Sequence, residues 1–239
     1  MSRRFNESDA TYSDDTQLST APASQALQFA HRYVVIEGPI GVGKTTLTRR
    51  LAGLHDAEAV LERAEENPFL ERFYKNPRSG ALPAQLYFLF QRTRQLQQLK
   101  QSDLFAPVRM ADFLLEKDRL FARVTLDDEE YALYEQIYER LSIDAPLPDL
   151  VVYLQAPVDV LQERIARRGI RYEQGMEREY LERLVDAYTR FFHNYDAAPL
   201  LIVNAGDVDF INNEQHFAQL AAEIAKPRKG RHYFNPFHG

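Results

Sequence analysis

An α/β fold, a parallel sheet with helices on both faces, is predicted by three features of this 239-residue chain. Five short apolar runs, rich in β-branched residues, alternate with segments of helical periodicity. The first run, Tyr33 to Ile36, leads into a glycine-rich turn and then into a helix. Lastly, the spacing between runs is filled by helices rather than by tight turns, so neighbouring strands pair in parallel and are buried on both faces. In such a sheet ligands gather at the carboxyl ends of the strands.

The first strand carries the strongest motif. Gly38-Pro39-Ile40-Gly41-Val42-Gly43-Lys44-Thr45 satisfies the spacing of a phosphate-binding loop, with Thr46 following. Glycines let backbone N–H groups converge on phosphate oxygens without Cβ clashes. Lys44 supplies a point charge for the β/γ-phosphates, and the Thr45 hydroxyl is a ligand for Mg²⁺. The helix that begins here adds its positive N-terminal end.

Lys44 to Leu54 forms that helix, with Leu47, Leu51 and Leu54 on one face. Ala59 to Leu61 is a second strand ending at Glu62. Asn67-Pro68 reads as an N-cap with proline at the first helical position, opening a short helix through Phe73. A second start of this kind is at Pro83, for a helix to about Lys100. Pro107 to Ala111 is a weaker third strand, ending at Asp112, and Phe113 to Arg123 is helical. Asp127 followed by Glu130 is a variant capping box for a helix over Asp128 to Leu141, whose tyrosine stripe reads as packing. Leu150 to Leu154 is the fourth strand, and Pro157 opens a helix to Arg168. A polar, arginine-rich segment, Arg167 to Gly175, precedes a long helix from about Glu177 to Tyr195. Leu200 to Val203 is the fifth strand, and Asn213 to Ala225 the last helix. The chain divides into a polar N-terminal tail (1–30), one domain (31–225) and a C-terminal tail (226–239). Glu62 and Asp112, each at a strand end, are expected beside the phosphate loop.

Composition bounds the function. A net charge of −6 argues against a nucleic-acid polymer as partner. With no cysteine there is no disulfide and no thiolate metal site, which fits a reducing, cytoplasmic setting. No apolar run approaches the ~18 residues of a membrane span, and the acidic residues of the first tail argue against a transit peptide. Six scattered histidines offer no metal pair, so the expected metal is Mg²⁺ arriving with a nucleotide. A GTP-driven switch is disfavoured because neither N-K-x-D nor D-x-x-G occurs.

IEGPIGVGKTTL, ERAEENPFLERFY, LPAQLYFLFQRTRQL, PDLVVYLQ and RIARRGIRYEQG, in this order and spacing, resemble the deoxynucleoside kinases over about residues 32 to 225. The asparagine-proline after the Glu62 motif is most similar to the bacterial deoxyguanosine/deoxyadenosine kinase group. The resemblance implies a P-loop kinase fold, with a five-stranded parallel sheet and an arginine-rich lid, commonly a homodimer. It implies transfer of the γ-phosphoryl group of ATP to the 5′-hydroxyl of a deoxynucleoside. Carried over residue by residue, it makes Glu62 the general base, and Tyr74 with Glu173 the pair on the sugar 3′-hydroxyl. Gln85 reads the base edge, Arg92 is the substrate-binding arginine one helix-face further along, and Arg164 and Arg168 close over ATP, with Arg168 counted with Lys44 and Glu62 in catalysis. Thr45 and Asp112 serve Mg²⁺ or its waters.

The chain departs from the family in two places. Asp112-Phe113-Leu114 stands where Asp/Glu-Arg-Ser is usual, so an arginine that supports the phosphates and the glutamate is gone. Another lid arginine falls on Ile170; Arg63, Arg119 and Arg171 are the candidates to substitute. Two other readings share the motifs: a thymidylate-like kinase of nucleoside monophosphates, and a nucleotide-binding protein without turnover.

Overall fold

The structure, a computed structural model, describes residues 29–100, 108–141 and 145–235. Fourteen regular elements run β1 (Tyr33–Glu37), α1 (Lys44–Leu54), β2 (Glu58–Val60), α2 (Leu70–Lys75), α3 (Pro77–Lys100), β3 (Arg109–Ala111), α4 (Lys117–Thr125), α5 (Asp128–Leu141), β4 (Leu150–Gln155), α6 (Val158–Arg168), α7 (Arg178–His193), β5 (Leu200–Asn204), α8 (Glu214–Ile224) and β6 (Arg231–Phe234), with a short 3₁₀ turn at Ala64–Glu66. All but the last two residues of the predicted N-terminal tail lie outside the described residues.

The strands form one sheet in the order β2-β3-β1-β4-β5-β6, and every pairing is parallel. Successive residues of a strand face opposite sides, and the core divides accordingly. Val35, Ala111, Val151, Tyr153 and Ile202 pack on one face, with residues of α3, α4, α5 and α7. Val34, Ile36, Met110, Val152 and Val203 pack on the other, against Leu47 and Leu51 of α1 and Phe217 and Leu220 of α8. Because the chain leaves β1 to build β2 and β3 on one side and then β4 to β6 on the other, β1 is the topological switch point, where a crevice opens at the strands' carboxyl ends.

The sheet has six strands, where the sequence predicts five. The sixth comes from the segment predicted as a C-terminal tail. It pairs with β5, and the Arg231 guanidinium donates to the carbonyls of Phe192, His193 and Tyr195, satisfying acceptors left over at the end of α7.

Three boundaries also differ. The helix predicted from Pro83 begins at Pro77, so Pro83 lies inside it. Its first N–H groups are anchored on the Asn76 carbonyl, and Gly80 lets this turn press on α2: a Cβ there would sit 2.4 Å from the Phe73 backbone. Asn67 does not cap a helix at Pro68. Its Oδ1 accepts from the Phe69 N–H (3.0 Å) and its Nδ2 donates to the Ala84 carbonyl (3.1 Å), pinning this loop onto α3. Residues 113–116 precede α4 rather than belong to it, since the Leu114 N–H donates to the buried Glu37 carboxylate (2.8 Å) instead of joining a helix. The cap at Asp127 is as expected: its Oδ1 accepts from the Glu130 N–H at 2.9 Å. In the tyrosine stripe of α5, Tyr134 and Tyr138 are buried within this chain. No helix among the described residues is long and apolar enough to cross a membrane.

Candidate active site

The phosphate loop joins β1 to α1, and its shape depends on glycine. A Cβ at Gly38 would lie 2.5 Å from the Leu154 carbonyl oxygen, and Gly43, at φ 104°, is the left-handed N-cap of α1. No side chain caps α1 and no acidic residue sits in its first turn. The N–H groups that a capping side chain would occupy therefore remain directed at the loop, as an anion site requires. The Lys44 ammonium donates to the Gly38 (2.7 Å) and Pro39 (3.2 Å) carbonyls. Burial, followed by the nearby Lys117 charge, lowers its pKa to about 8, against the pull of Glu37, Glu62 and Asp112. An ammonium whose charge is opposed mainly by burial gains from the negative charge of an arriving phosphate.

A cavity of about 590 Å³ opens beside the loop. Its walls include Lys44, Thr45, Glu62, Tyr74, Gln85, Arg92, Asp112, Arg168 and Glu173, so the side chains proposed for phosphate, acceptor and metal share one space. Asp112, just past β3, accepts from the Thr45 hydroxyl (2.5 Å) and from the Glu62 N–H (2.7 Å). Burial, then the Glu62 charge, raises its pKa. A hydroxyl and a carboxylate oxygen already side by side are the hard donors Mg²⁺ prefers, so these residues fit that metal.

Glu62 stands two residues beyond β2, its side chain about four-fifths buried. Its Oε1 accepts from Arg92 Nε at 2.8 Å and lies 3.3 Å from Lys117 Nζ. Burial opposes its ionisation, but Arg92, Lys117 and Lys44 together outweigh it and hold the carboxyl down at about 2. Glu62 is thus a carboxylate throughout the neutral range.

Gln85 and Arg92 project from one face of α3. Gln85 donates to the Thr125 hydroxyl (3.2 Å), while its Oε1 has no partner among the described residues. Arg92, 3% exposed, links Glu62 to the fully buried Asp118 and lies over the Phe88 ring. Asp118 escaped the sequence reading; an aspartate in a charged E-K-D-R run looks like a solvated helix start. Phe88 and Phe121, also lining the cavity, offer flat apolar surface to a base.

At the cavity's other end, the ring of Tyr74 stacks on Tyr172, 5.8 Å between centroids, and Glu173 pairs with Arg168. Burial raises the Tyr74 hydroxyl well above its usual pKa, helped by Tyr180 and Glu173. Arg164 turns away from the cavity: it donates to the Ala205 carbonyl (2.8 Å) and reaches Val42 O (3.4 Å), bracing the phosphate loop from behind. With Arg167, Arg168, Ile211 and Asn212 it borders a smaller cleft on the outer side of Gly41 to Thr46.

None of the three arginines expected to replace the missing one reaches Glu62. Arg119 pairs with Glu135, Arg63 with Glu66, and Arg171 is exposed. The cation beside Glu62, in addition to Arg92, is Lys117, the first residue of α4 and only 2% exposed. Sequence reasoning passed over it. The available signal was faint: a lysine in the first turn of a helix, where the dipole disfavours a cation.

Comparison with known proteins followed the same lines. The family model described as deoxynucleoside kinase matches residues 34–227. A deoxyguanosine kinase of Bacillus subtilis is 34% identical over 200 residues, spanning 80% of this chain and 95% of that protein. A deoxyadenosine kinase of Lactobacillus acidophilus is 29% identical, spanning 80% and 94%. Among solved structures, deoxyadenosine kinase from M. mycoides with bound dATP superposes with a TM-score of 0.71 at 26% identity, covering 82% of this chain and 100% of the other. The same enzyme with dCMP and a flexible dCDP gives the same TM-score at 27% identity.

Proposed function

The chain belongs to the deoxynucleoside kinase family, and from that premise we propose that it transfers the γ-phosphoryl group of ATP to the 5′-hydroxyl of a deoxynucleoside, purines being favoured. The observation that carries this reading is the shared cavity. The phosphate loop, an ionised glutamate, and side chains suited to sugar and base border one space, and no gap separates donor from acceptor.

ATP supplies the phosphoryl group, and Mg²⁺ held near Thr45 and Asp112 would spread its charge. The chain does the rest by positioning and charge. The N–H groups of Gly41 to Thr46 and the Lys44 ammonium bind the phosphates. Glu62, fixed by Arg92 and Lys117, accepts the proton of the 5′-hydroxyl. The neighbouring cations keep Glu62 ionised and able to accept a proton, and in a loose transition state the attacking oxygen has formed little bond. Tyr74 and Glu173 orient the sugar; Gln85, Arg92 and the rings of Phe88 and Phe121 orient the base. Arg168, now on Glu173, is the lid residue that shifts toward phosphate as ATP arrives, which ties closure to an occupied sugar site. A cytoplasmic homodimer completes the reading, supported by the family and by the absence of cysteine.

Acceptor preference is testable by offering the four deoxynucleosides, their ribonucleoside counterparts and thymidine monophosphate with ATP and Mg²⁺. Deoxyguanosine and deoxyadenosine are expected to give the highest kcat/KM, because the Gln85 amide presents both a donor and an acceptor to a base edge. A screen led by both thymidine and deoxycytidine would reverse the purine assignment, and one led by thymidine monophosphate would make this a nucleotide kinase.

The sugar contacts make a separate prediction. A site built around a hydroxyl leaves polar groups unpaired when that hydroxyl is missing. A 2′,3′-dideoxynucleoside should lose at least about tenfold in kcat/KM, ~1.4 kcal/mol, and Glu173→Ala should largely erase the difference. Equal use of both sugars by the unaltered enzyme would remove Tyr74 and Glu173 from the sugar site.

A further inference from the structure

Lys117 is placed where ordinary preferences would not put it. It is the first residue of α4, so the helix dipole opposes its charge, and its side chain is 2% exposed, so burial opposes it too. What offsets both is a pair of carboxylates. Lys117 Nζ lies 3.3 Å from Glu62 Oε1 and 3.7 Å from Glu37 Oε1. Glu37 is itself fully buried and tied to the phosphate loop: its Oε1 accepts from the Gly38 N–H and from the Tyr188 hydroxyl, both at 2.9 Å, and its Oε2 from the Leu114 N–H. Glu37, Lys117, Glu62, Arg92 and Asp118 therefore form a row of alternating charges. It runs from the residue before the phosphate loop to the floor of the base pocket.

The geometry points to Lys117 as a positioning residue for phosphoryl transfer: its ammonium bridges Glu62 to Glu37 and thereby sets where the Glu62 carboxylate stands relative to the phosphate loop. Asp112-Phe113-Leu114 brings no cation to this place. Phe113 is buried in the core, and the Leu114 backbone serves Glu37. The ammonium comes instead from the next turn of chain and stands 3.3 Å from Oε1, the same Glu62 oxygen that Arg92 holds. Two cations holding one oxygen leave the other carboxylate oxygen, Oε2, to face an acceptor hydroxyl. Arg92 alone would leave Glu62 free to swing toward the base pocket.

This inference rests on Glu62 as the proton acceptor, and a double-mutant cycle separates the two. The variants are Lys117→Met, which keeps the unbranched stem to within one atom and removes the charge, Glu62→Gln, and their combination, assayed with saturating ATP-Mg²⁺ and the deoxynucleoside accepted best in the screen above. Lys117→Met should lower kcat by about 10²-fold, the effect of removing one fixed charge from an active site, with KM for ATP changed by less than about threefold. The combined variant should be no slower than Glu62→Gln by more than about threefold, because Lys117 acts through Glu62. A lysine that merely supported the fold would instead multiply its loss onto that of Glu62→Gln, and this result overturns the inference. So does a Lys117→Met enzyme with near-normal kcat while Glu62→Gln is slow, which removes Lys117 alone. Near-normal kcat in Glu62→Gln removes the base assignment and the role of Lys117 with it. If Lys117→Met fails to fold because Glu37 is left uncompensated, Lys117→Met/Glu37→Gln measured against Glu37→Gln gives the same comparison with no unpaired buried carboxylate.

Discussion

Replacing Lys44 by alanine is expected to abolish turnover and to leave the fold intact. Among the described residues its ammonium hydrogen-bonds to two loop carbonyls, those of Gly38 and Pro39, and Lys44 itself lines the cavity, from which water can reach the vacated place. The stability cost is therefore small. The catalytic cost is not, since charge builds on the β/γ-phosphates as the bond to the leaving oxygen opens, and no other side chain in the loop is cationic. Losing one such fixed donor costs about 10²–10³-fold in kcat, ~2.7–4 kcal/mol, and a full ammonium belongs at or above the upper end. Single-turnover kinetics and a thermal melt on the same preparation check both halves. Activity within about tenfold of the unaltered enzyme, ~1.4 kcal/mol, would contradict the phosphate-loop assignment.

Glu62→Gln is the second large effect. The substitution keeps the shape of the side chain and its acceptor oxygen but removes the basic carboxylate. A hydroxyl is a poor nucleophile at neutral pH, and loss of a general base costs about 10²–10⁴-fold, so kcat should fall by that order. ATP binding should change little, because the Glu62 side chain is held by Arg92 and Lys117 and makes no hydrogen bond to the phosphate loop among the described residues. Asp112 is the rival base. Its carboxylate is engaged by the Thr45 hydroxyl and the Glu62 N–H, which suits a metal ligand better than a proton acceptor. Should Glu62→Gln keep its kcat, or fail only through lost ATP affinity, the base role passes to Asp112.

Much of this architecture could be read from the residues because the deciding interactions are local. The loop from Gly38 to Thr45 needs glycines at positive φ, and α5 begins where Asp127 accepts from Glu130, three residues on. Other features depend on partners far away in the chain. Arg231 to Phe234 looks like a polar tail until β5 supplies its hydrogen bonds and the end of α7 takes Arg231. Pro83 reads as a helix start, yet the anchor that begins α3 is Asn76, aided by the close approach of Gly80 to Phe73. Lys117 was the most consequential miss. Its sequence neighbours, Glu116 and Asp118, suggest a solvated surface turn, whereas its actual partners, Glu37 and Glu62, come from β1 and from beyond β2. The departure at Phe113-Leu114 signals that a cation is absent; only the tertiary structure shows where another one enters.

The arrangement also says how the site divides its labour. Arg92 pairs with both Glu62 and Asp118, so under the proposed mechanism the base pocket and the proton acceptor would be joined through one side chain. The Arg168–Glu173 pair would join the proposed sugar site to the proposed lid in the same way. The account stands on transfer from ATP to a nucleoside within this one cavity. The most direct measurement is to incubate the enzyme with Mg²⁺, ATP labelled in its γ-phosphate and deoxyguanosine, and to identify the labelled product. The expected result is deoxyguanosine 5′-monophosphate carrying the label, formed by the unaltered enzyme and lost in Lys44→Ala. ATP that binds without labelling any of the four deoxynucleosides, or label that appears only on a nucleoside monophosphate, would contradict it.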